Sequence, residues 1–152
     1  MPTYDYPRPM LTADVVVLAV PTPSPDWAGE RRRVLLIQRA NPPFQGDWAL
    51  PGGFVDEGEQ ACEAAPRELA EETGLSIGSD ELRLLGVYDT PGRDPRGWTV
   101  SAVYVTCVAE ELPVAGGDDA RDARWWPVDE LPELAFDHGQ IIAEALRCHD
   151  GH

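Results

Sequence analysis

The chain has 152 residues, the length of one ordinary domain, and its 43% hydrophobic and 26% charged content is that of a globular protein. The formal net charge is −15, and all 12 basic residues are arginine. Such a surface excludes nucleic acid and anionic membranes as partners, because no basic patch replaces their counterions. No apolar run reaches the roughly 20 residues that span a bilayer.

The N-terminus, Met1-Pro-Thr-Tyr-Asp-Tyr-Pro-Arg-Pro9, lacks the basic start and apolar core of a signal peptide, so a cytoplasmic protein is expected. Residues 1–12 read as an N-terminal extension. Residues 14–20, Asp-Val-Val-Val-Leu-Ala-Val, form a β-branched apolar run and predict a buried strand. The segment 21–30 holds three prolines with Ser, Asp and Gly and predicts a surface loop. Residues 33–39 predict a second strand paired with the first, ended by Asn41-Pro42-Pro43. A short extended piece, Trp48 to Val55, follows.

From Glu59 to Thr73 the only breaker is Pro66, and Gly74 supplies a helix stop. Pro66 deletes one helical hydrogen bond, so a kink is expected before Arg67. Strands are expected at 82–89, 99–108 and 122–128. Ile141, Ile142, Ala145 and Leu146 give helical spacing to a last element over 137–147. Strands, a central helix, more strands and a terminal helix make a single α/β layered domain over 1–152. The cysteines are odd in number and match no metal spacing. Cys62, on the helix, and Cys107, on a strand, read as small core residues.

Glu68, Glu71 and Glu72 stand at i, i+3 and i+4, on one helical stripe within reach of a common point. Like charges so spaced repel by a few tenths of a kcal/mol per pair, so the surface is either well solvated or a cation gathers the oxygens. Carboxylates suit Mg²⁺ or Mn²⁺. Three glutamates on a helix are by themselves most often a solvated face. Cys62, Leu69 and Thr73 lie on the other side and dock on a sheet, leaving the carboxylates at the rim.

The surrounding sequence decides between these readings. Gly53, five residues, Glu59, seven residues, Arg67-Glu68-Leu69, one residue, Glu71-Glu72, one residue and Gly74-Leu75 match the Nudix box at every defined position. Seven of those positions demand one residue type each, so a chance match is roughly one in ten million or rarer. The chain therefore resembles the Nudix hydrolases, which cut phosphoanhydride bonds. The resemblance implies an α/β/α sandwich with a mixed β-sheet, one catalytic helix and a C-terminal helix. It also implies that the Gly53 carbonyl and Glu68, Glu71 and Glu72 bind Mg²⁺ or Mn²⁺. Arg67 is then expected to orient the cluster by pairing with Glu59, and a carboxylate of the cluster or of a nearby loop to take a proton from the attacking water.

Asn41-Pro42-Pro43-Phe44, Trp48 to Phe54, Pro91 to Trp98, Gly117-Asp118-Asp119-Ala120 and Phe136-Asp137-His138 resemble the ADP-ribose pyrophosphatase branch. A small-molecule nucleotide substrate, ADP-ribose first, follows from that resemblance. Arg93 to Gly97 reads equally as a hairpin turn or as cations for phosphate, with Arg39, Arg93 and Arg96 as the arginines concerned. Asp118 and Asp119 read as a solvated loop or as a loop that delivers a carboxylate to the site. His138 is expected to cap the final helix. Trp125 and Trp126 alternate on a strand, one in the core and the other at an edge, and offer area for a homodimer. The alternatives are a nucleoside-triphosphate diphosphatase of the same family, a non-catalytic ligand sensor and a structural acidic protein. Sensors of that kind carry a DNA-binding domain, and little chain follows the terminal helix. The intact glutamates weigh against the last two.

Overall fold

A computed structural model describes residues 5–27 and 29–151. The first four residues of the expected N-terminal extension and residue 28 of the expected loop lie outside them. Seven strands form one mixed sheet, with β1 (Met10–Ala19), β2 (Arg33–Arg39), β3 (Trp48–Ala49), β4 (Gly52–Phe54), β5 (Arg83–Tyr88), β6 (Thr99–Val108) and β7 (Ala120–Pro127). Along the main path the order is β3-β2-β1-β6-β5, while β4 pairs with β1 and β7 with β2. Among the described residues β1 and β6 are the one parallel pair of strands, in register from Met10 opposite Thr99 to Ala19 opposite Val108.

That ladder corrects the expected strand start. Residues 10–12 lack the β-branched apolar signature, yet they belong to β1 because Thr99, Val100 and Ser101 pair with them on one side and Phe54 meets Thr12 on the other. The extension therefore ends before Met10. The remaining strands and both helices form within a few residues of their expected bounds.

Helix α1 (Ala61–Thr73) covers one face and α2 (His138–Asp150) the other. Ala13, Val15 and Val17 of β1 point to α1, packing with Ala64, Ala65 and Leu69. Val16 and Leu18 point to α2, packing with Ile141, Ile142 and Ala145. β1 is thus buried on both faces, which explains its unbroken apolar run. α1 starts in a capping box between Gln60 and Glu63, runs through Pro66, and ends at Gly74 in the left-handed region (φ 77°) that glycine adopts without strain. Among the described residues no helix is long and apolar enough to cross a membrane.

Two core expectations change. Cys107 is exposed and Cys62 half-buried. Val103 and Val105 of β6 pack with α2, and Cys107, two residues further on that face, falls beyond the helix's cover. Trp125 and Trp126 do go to opposite faces, but each half-buried ring packs on one of the two core clusters. Trp126 meets Trp48 edge-on at 5.1 Å, and Trp125 Nε1 donates to the Leu112 carbonyl at 2.9 Å. Most of their apolar area is spent inside the chain.

Candidate active site

Strand β4 brings Gly53 against the stripe of α1. A Cβ built on Gly53 would lie 2.6 Å from Glu68 Cδ, so only glycine lets this backbone touch the carboxylate. Glu68 is half-buried, and burial raises its pKa. Glu72 is 6% exposed and accepts the Gly52 N–H at 2.7 Å. Burial pushes its pKa up to about 8. The expectation that these carboxylates sit at the rim therefore holds for exposed Glu71 and not for Glu72, which β4 roofs over.

Arg67 is the hub of the cluster. It grips Glu59 in bidentate fashion, Nε to Oε2 at 2.7 Å and Nη2 to Oε1 at 3.0 Å, and the pair lowers the Glu59 pKa. Its Nη1 donates to Glu68 at 2.9 Å and Glu71 at 3.2 Å, and Nη2 to the Phe54 carbonyl at 3.1 Å. Arg67 thus ties the helix to the strand that carries Gly53. Among the described residues, no three acidic, His or Cys side chains converge as a ready ligand set. Arg67 draws Glu71 outward while the Gly52 N–H holds Glu72 inward. The donors near Gly53 are nonetheless hard oxygens, two of them on carboxylates whose burial disfavours an uncompensated charge, and they fit a divalent cation.

The carboxylate wall opens on a cavity of ≈ 300 Å³. Arg39, Arg93 and Arg96 line its other side with Asp94, Phe136 and His138. The loop joining β5 to β6 is the expected hairpin connection, and it carries Arg93 and Arg96 to the cavity. Those two arginines are internally paired. Arg93 reaches Asp137 through Nε at 2.9 Å and Nη2 at 2.7 Å, and Arg96 reaches buried Asp94 at 2.8 Å. Arg39 gives its Nε to the Pro43 carbonyl at 2.7 Å and has no ion pair among the described residues. Burial, then the nearby charge of Arg96, lowers its pKa. Arg39 and Arg96 both lie over the Phe136 ring, at 5.1 and 5.4 Å from its centroid.

The loop before β7 docks on the end of α1, with Ala115 N–H donating to the Thr73 carbonyl at 3.0 Å. It brings Asp119 to the cavity, where Asn41 Nδ2 donates to it at 3.3 Å. Asp118 does not line the cavity, though its charge adds to the upward shift of Glu68. His138 does not cap α2. Its Nδ1 accepts the Leu50 N–H at 3.0 Å, and complete burial pushes its pKa down to about 4, so the ring is neutral. The N-cap is Asp137, which makes no side-chain cap bond because its carboxylate is committed to Arg93.

Asp14 and Thr12 also line the cavity and were missed in the sequence. Asp14 is buried, accepts the Ser101 hydroxyl and has its pKa pushed up to about 6 by burial. A lone acid at the head of an apolar run was the one signal that pointed to it.

Fold and site together define a Nudix hydrolase, and the NUDIX domain model matches residues 26–145. The chain belongs to the Nudix family. It is 48% identical over 120 residues to an ADP-ribose pyrophosphatase of Methanocaldococcus jannaschii, a match that covers 78% of this chain and 69% of the relative. It is 32% identical over 146 residues to the ADPR responsive transcriptional repressor NtrR of Acinetobacter baylyi, 93% of this chain but 55% of the repressor. Among solved structures, the NUDIX domain of Shewanella oneidensis NrtR complexed with ADP ribose superposes with a TM-score of 0.80 at 32% identity, covering 95% of this chain and 92% of that one. A MutT/nudix family protein from Enterococcus faecalis gives 0.82 at 33% identity, covering 97% of this chain and 64% of its own.

Proposed function

We propose that the chain hydrolyses a diphosphate joining two groups, ADP-ribose first among them, to AMP and ribose 5-phosphate. The observation that carries this reading is the two-sided cavity. One wall holds Glu72, buried against a backbone N–H, beside Glu68, which shares Arg67 with two other glutamates, and the other holds Arg39, a cation without an ion pair among the described residues. Glu68, Glu72 and the Gly53 carbonyl would hold Mg²⁺ or Mn²⁺, with Glu71 at the exposed edge. A divalent cation bound there neutralises charge on the diphosphate and makes a bound water more acidic. Arg67, paired with Glu59, positions the glutamates and does not touch substrate. Arg39 holds a phosphate oxygen, and a carboxylate of the cavity, on α1 or at Asp119, accepts the proton of the attacking water.

The relatives support the substrate class, the one by its name as an ADP-ribose pyrophosphatase and the other by its ADP-ribose complex. The repressor likeness favours a second reading, a ligand sensor without turnover. Incubation with Mg²⁺, ADP-sugars and nucleoside triphosphates, with products identified, separates the two. AMP and a sugar phosphate from ADP-ribose, with negligible ADP-ribose binding in EDTA, is the expected result. Pyrophosphate released faster from a triphosphate than any ADP-sugar is cleaved would establish the triphosphate diphosphatase instead. Tight binding without products would establish the sensor.

A further inference from the structure

We propose that Asp14 and Arg93 together form a subsite for sugar hydroxyls, which selects substrates whose second group, next to the diphosphate, is a polyol. The inference rests on the hydrolase reading above and adds a selectivity device that the Nudix box does not contain.

Asp14 is 7% exposed, in a strand packed on both faces, and still lines the cavity. One carboxylate oxygen, Oδ2, accepts from Ser101 Oγ, while Oδ1 has no hydrogen bond among the described residues. Gly52 faces it across the β1–β4 pair, and a Cβ there would lie 2.0 Å from Oδ1. Glycine at 52 therefore lets β4 close over Glu72 without displacing the Asp14 carboxylate. Burying a carboxylate with one hydroxyl partner is costly, and a purely structural role at this position would be met by an uncharged side chain.

The Arg93 side chain is 5% exposed. Asp137 occupies Nε and Nη2, and Nη1 has no partner among the described residues although Arg93 lines the same cavity. Arg93, Asp137 and Asp14 lie close enough for their charges to act on one another. One positive and two negative charges sum to −1, which repels a phosphate. A hydroxyl carries no charge, donates once and accepts as well. Adjacent hydroxyls of a sugar can donate to Asp14 Oδ1 and accept from Arg93 Nη1 together. The phosphate is then left to Arg39, which makes no ion pair among the described residues.

The test compares kcat/KM for four diphosphates with Mg²⁺: ADP-ribose, its forms lacking the 2- or the 3-hydroxyl of the terminal ribose, and the propyl ester of ADP. For the wild type, ADP-ribose should lead the propyl ester, and at least one deoxy form, by about 10- to 100-fold, the value of a hydrogen bond to a charged group. In Asp14→Asn, which keeps the shape and the bond from Ser101, that ratio should fall to within about threefold. Because a ratio is read, a general loss of activity cancels. If Asp14→Asn does not fold, the wild-type series still decides. Equal cleavage of all four by the wild type, or an unchanged ratio in folded Asp14→Asn, overturns the subsite and leaves the hydrolase standing. A wild type inert toward all four overturns both.

Discussion

The two walls of the cavity are built on opposite plans. The acidic wall is one face of one helix, and its one arginine, Arg67, is shared among Glu59, Glu68 and Glu71, which leaves Glu72 buried against a single backbone N–H. The basic wall is gathered from β2 and the β5–β6 loop, and two of its three arginines are cancelled by carboxylates of the chain itself. A buried charge without a counter-charge is unstable unless something arrives to balance it. The acidic wall is therefore a place that waits for a cation. The basic wall is mostly a scaffold: Arg39 is left for phosphate, and Arg93 keeps only Nη1 for the proposed hydroxyl subsite.

The largest effect should come from the acidic wall. Glu72→Gln keeps shape and the bond to Gly52 but removes the charge, and kcat for ADP-ribose should fall at least about a hundredfold with the circular dichroism spectrum unchanged. Turnover near that of the wild type would mean that burial of Glu72 serves the fold alone.

The basic wall makes a subtler prediction, because the same substitution should register in different observables. Arg39→Met should raise KM about tenfold while kcat and Tm stay close to wild type, since it removes one charge-assisted bond to phosphate. Arg93→Met should lower stability by about 3 kcal/mol, because it strands half-buried Asp137 and takes a counter-charge from buried Asp14. Denaturant melts with steady-state kinetics measure both. A loss of stability in Arg39→Met as large as that in Arg93→Met would erase the distinction between a free and a committed arginine.

A smaller effect lies in pH. Glu72 has a folded pKa near 8 against an ordinary value of 4.5, so between these values the folded state holds more protons than the unfolded one. Stability in EDTA should therefore be greatest at the acid end of that window and fall as pH rises toward 8. His138, lowered to about 4 from 6.5, acts oppositely, favouring the fold as pH rises from 4 to 6.5. Above pH 6.5 Glu72 dominates, and Tm in EDTA should drop by several degrees by pH 8. Glu72→Gln should flatten that slope. A Tm that climbs from pH 6.5 to 8 in both proteins would contradict the assigned burial.

The stripe of glutamates was legible in the sequence because a helix places i, i+3 and i+4 together, but its reading as a site and not a solvated face came from the resemblance to the Nudix box. The pair between Arg67 and Glu59 was expected only from the resemblance to the Nudix box, since Glu59 lies outside α1, eight positions before Arg67. The burial of Glu72 was not, since the strand that covers it is recognisable only once β4 pairs with β1. The commitment of Arg93 was hidden too. Its partner Asp137 lies 44 positions away, at the start of α2, and nothing local announces the meeting. Asp14 looked like the first residue of a strand, and only its registers with Gly52 and with β6 make it part of the cavity floor. A histidine beside a helix start looks like a cap, whereas the Leu50 N–H that His138 accepts comes from the β3–β4 connection, 88 positions away in the chain.

The parallel ladder between β1 and β6 works as a ruler for the whole molecule. Its alternate residues feed the two cores, Asp14 sits on the same strand, and Gly53 hangs from it through β4. A slip of one residue would exchange the two apolar faces and carry Asp14 away from the cavity in the same movement. Catalytic geometry and global folding therefore share one calibration. A partly melted protein with its active centre intact has no register in which to exist, so activity itself becomes a gauge of the folded fraction. In a denaturant titration, the midpoint for turnover should coincide with that for tryptophan fluorescence.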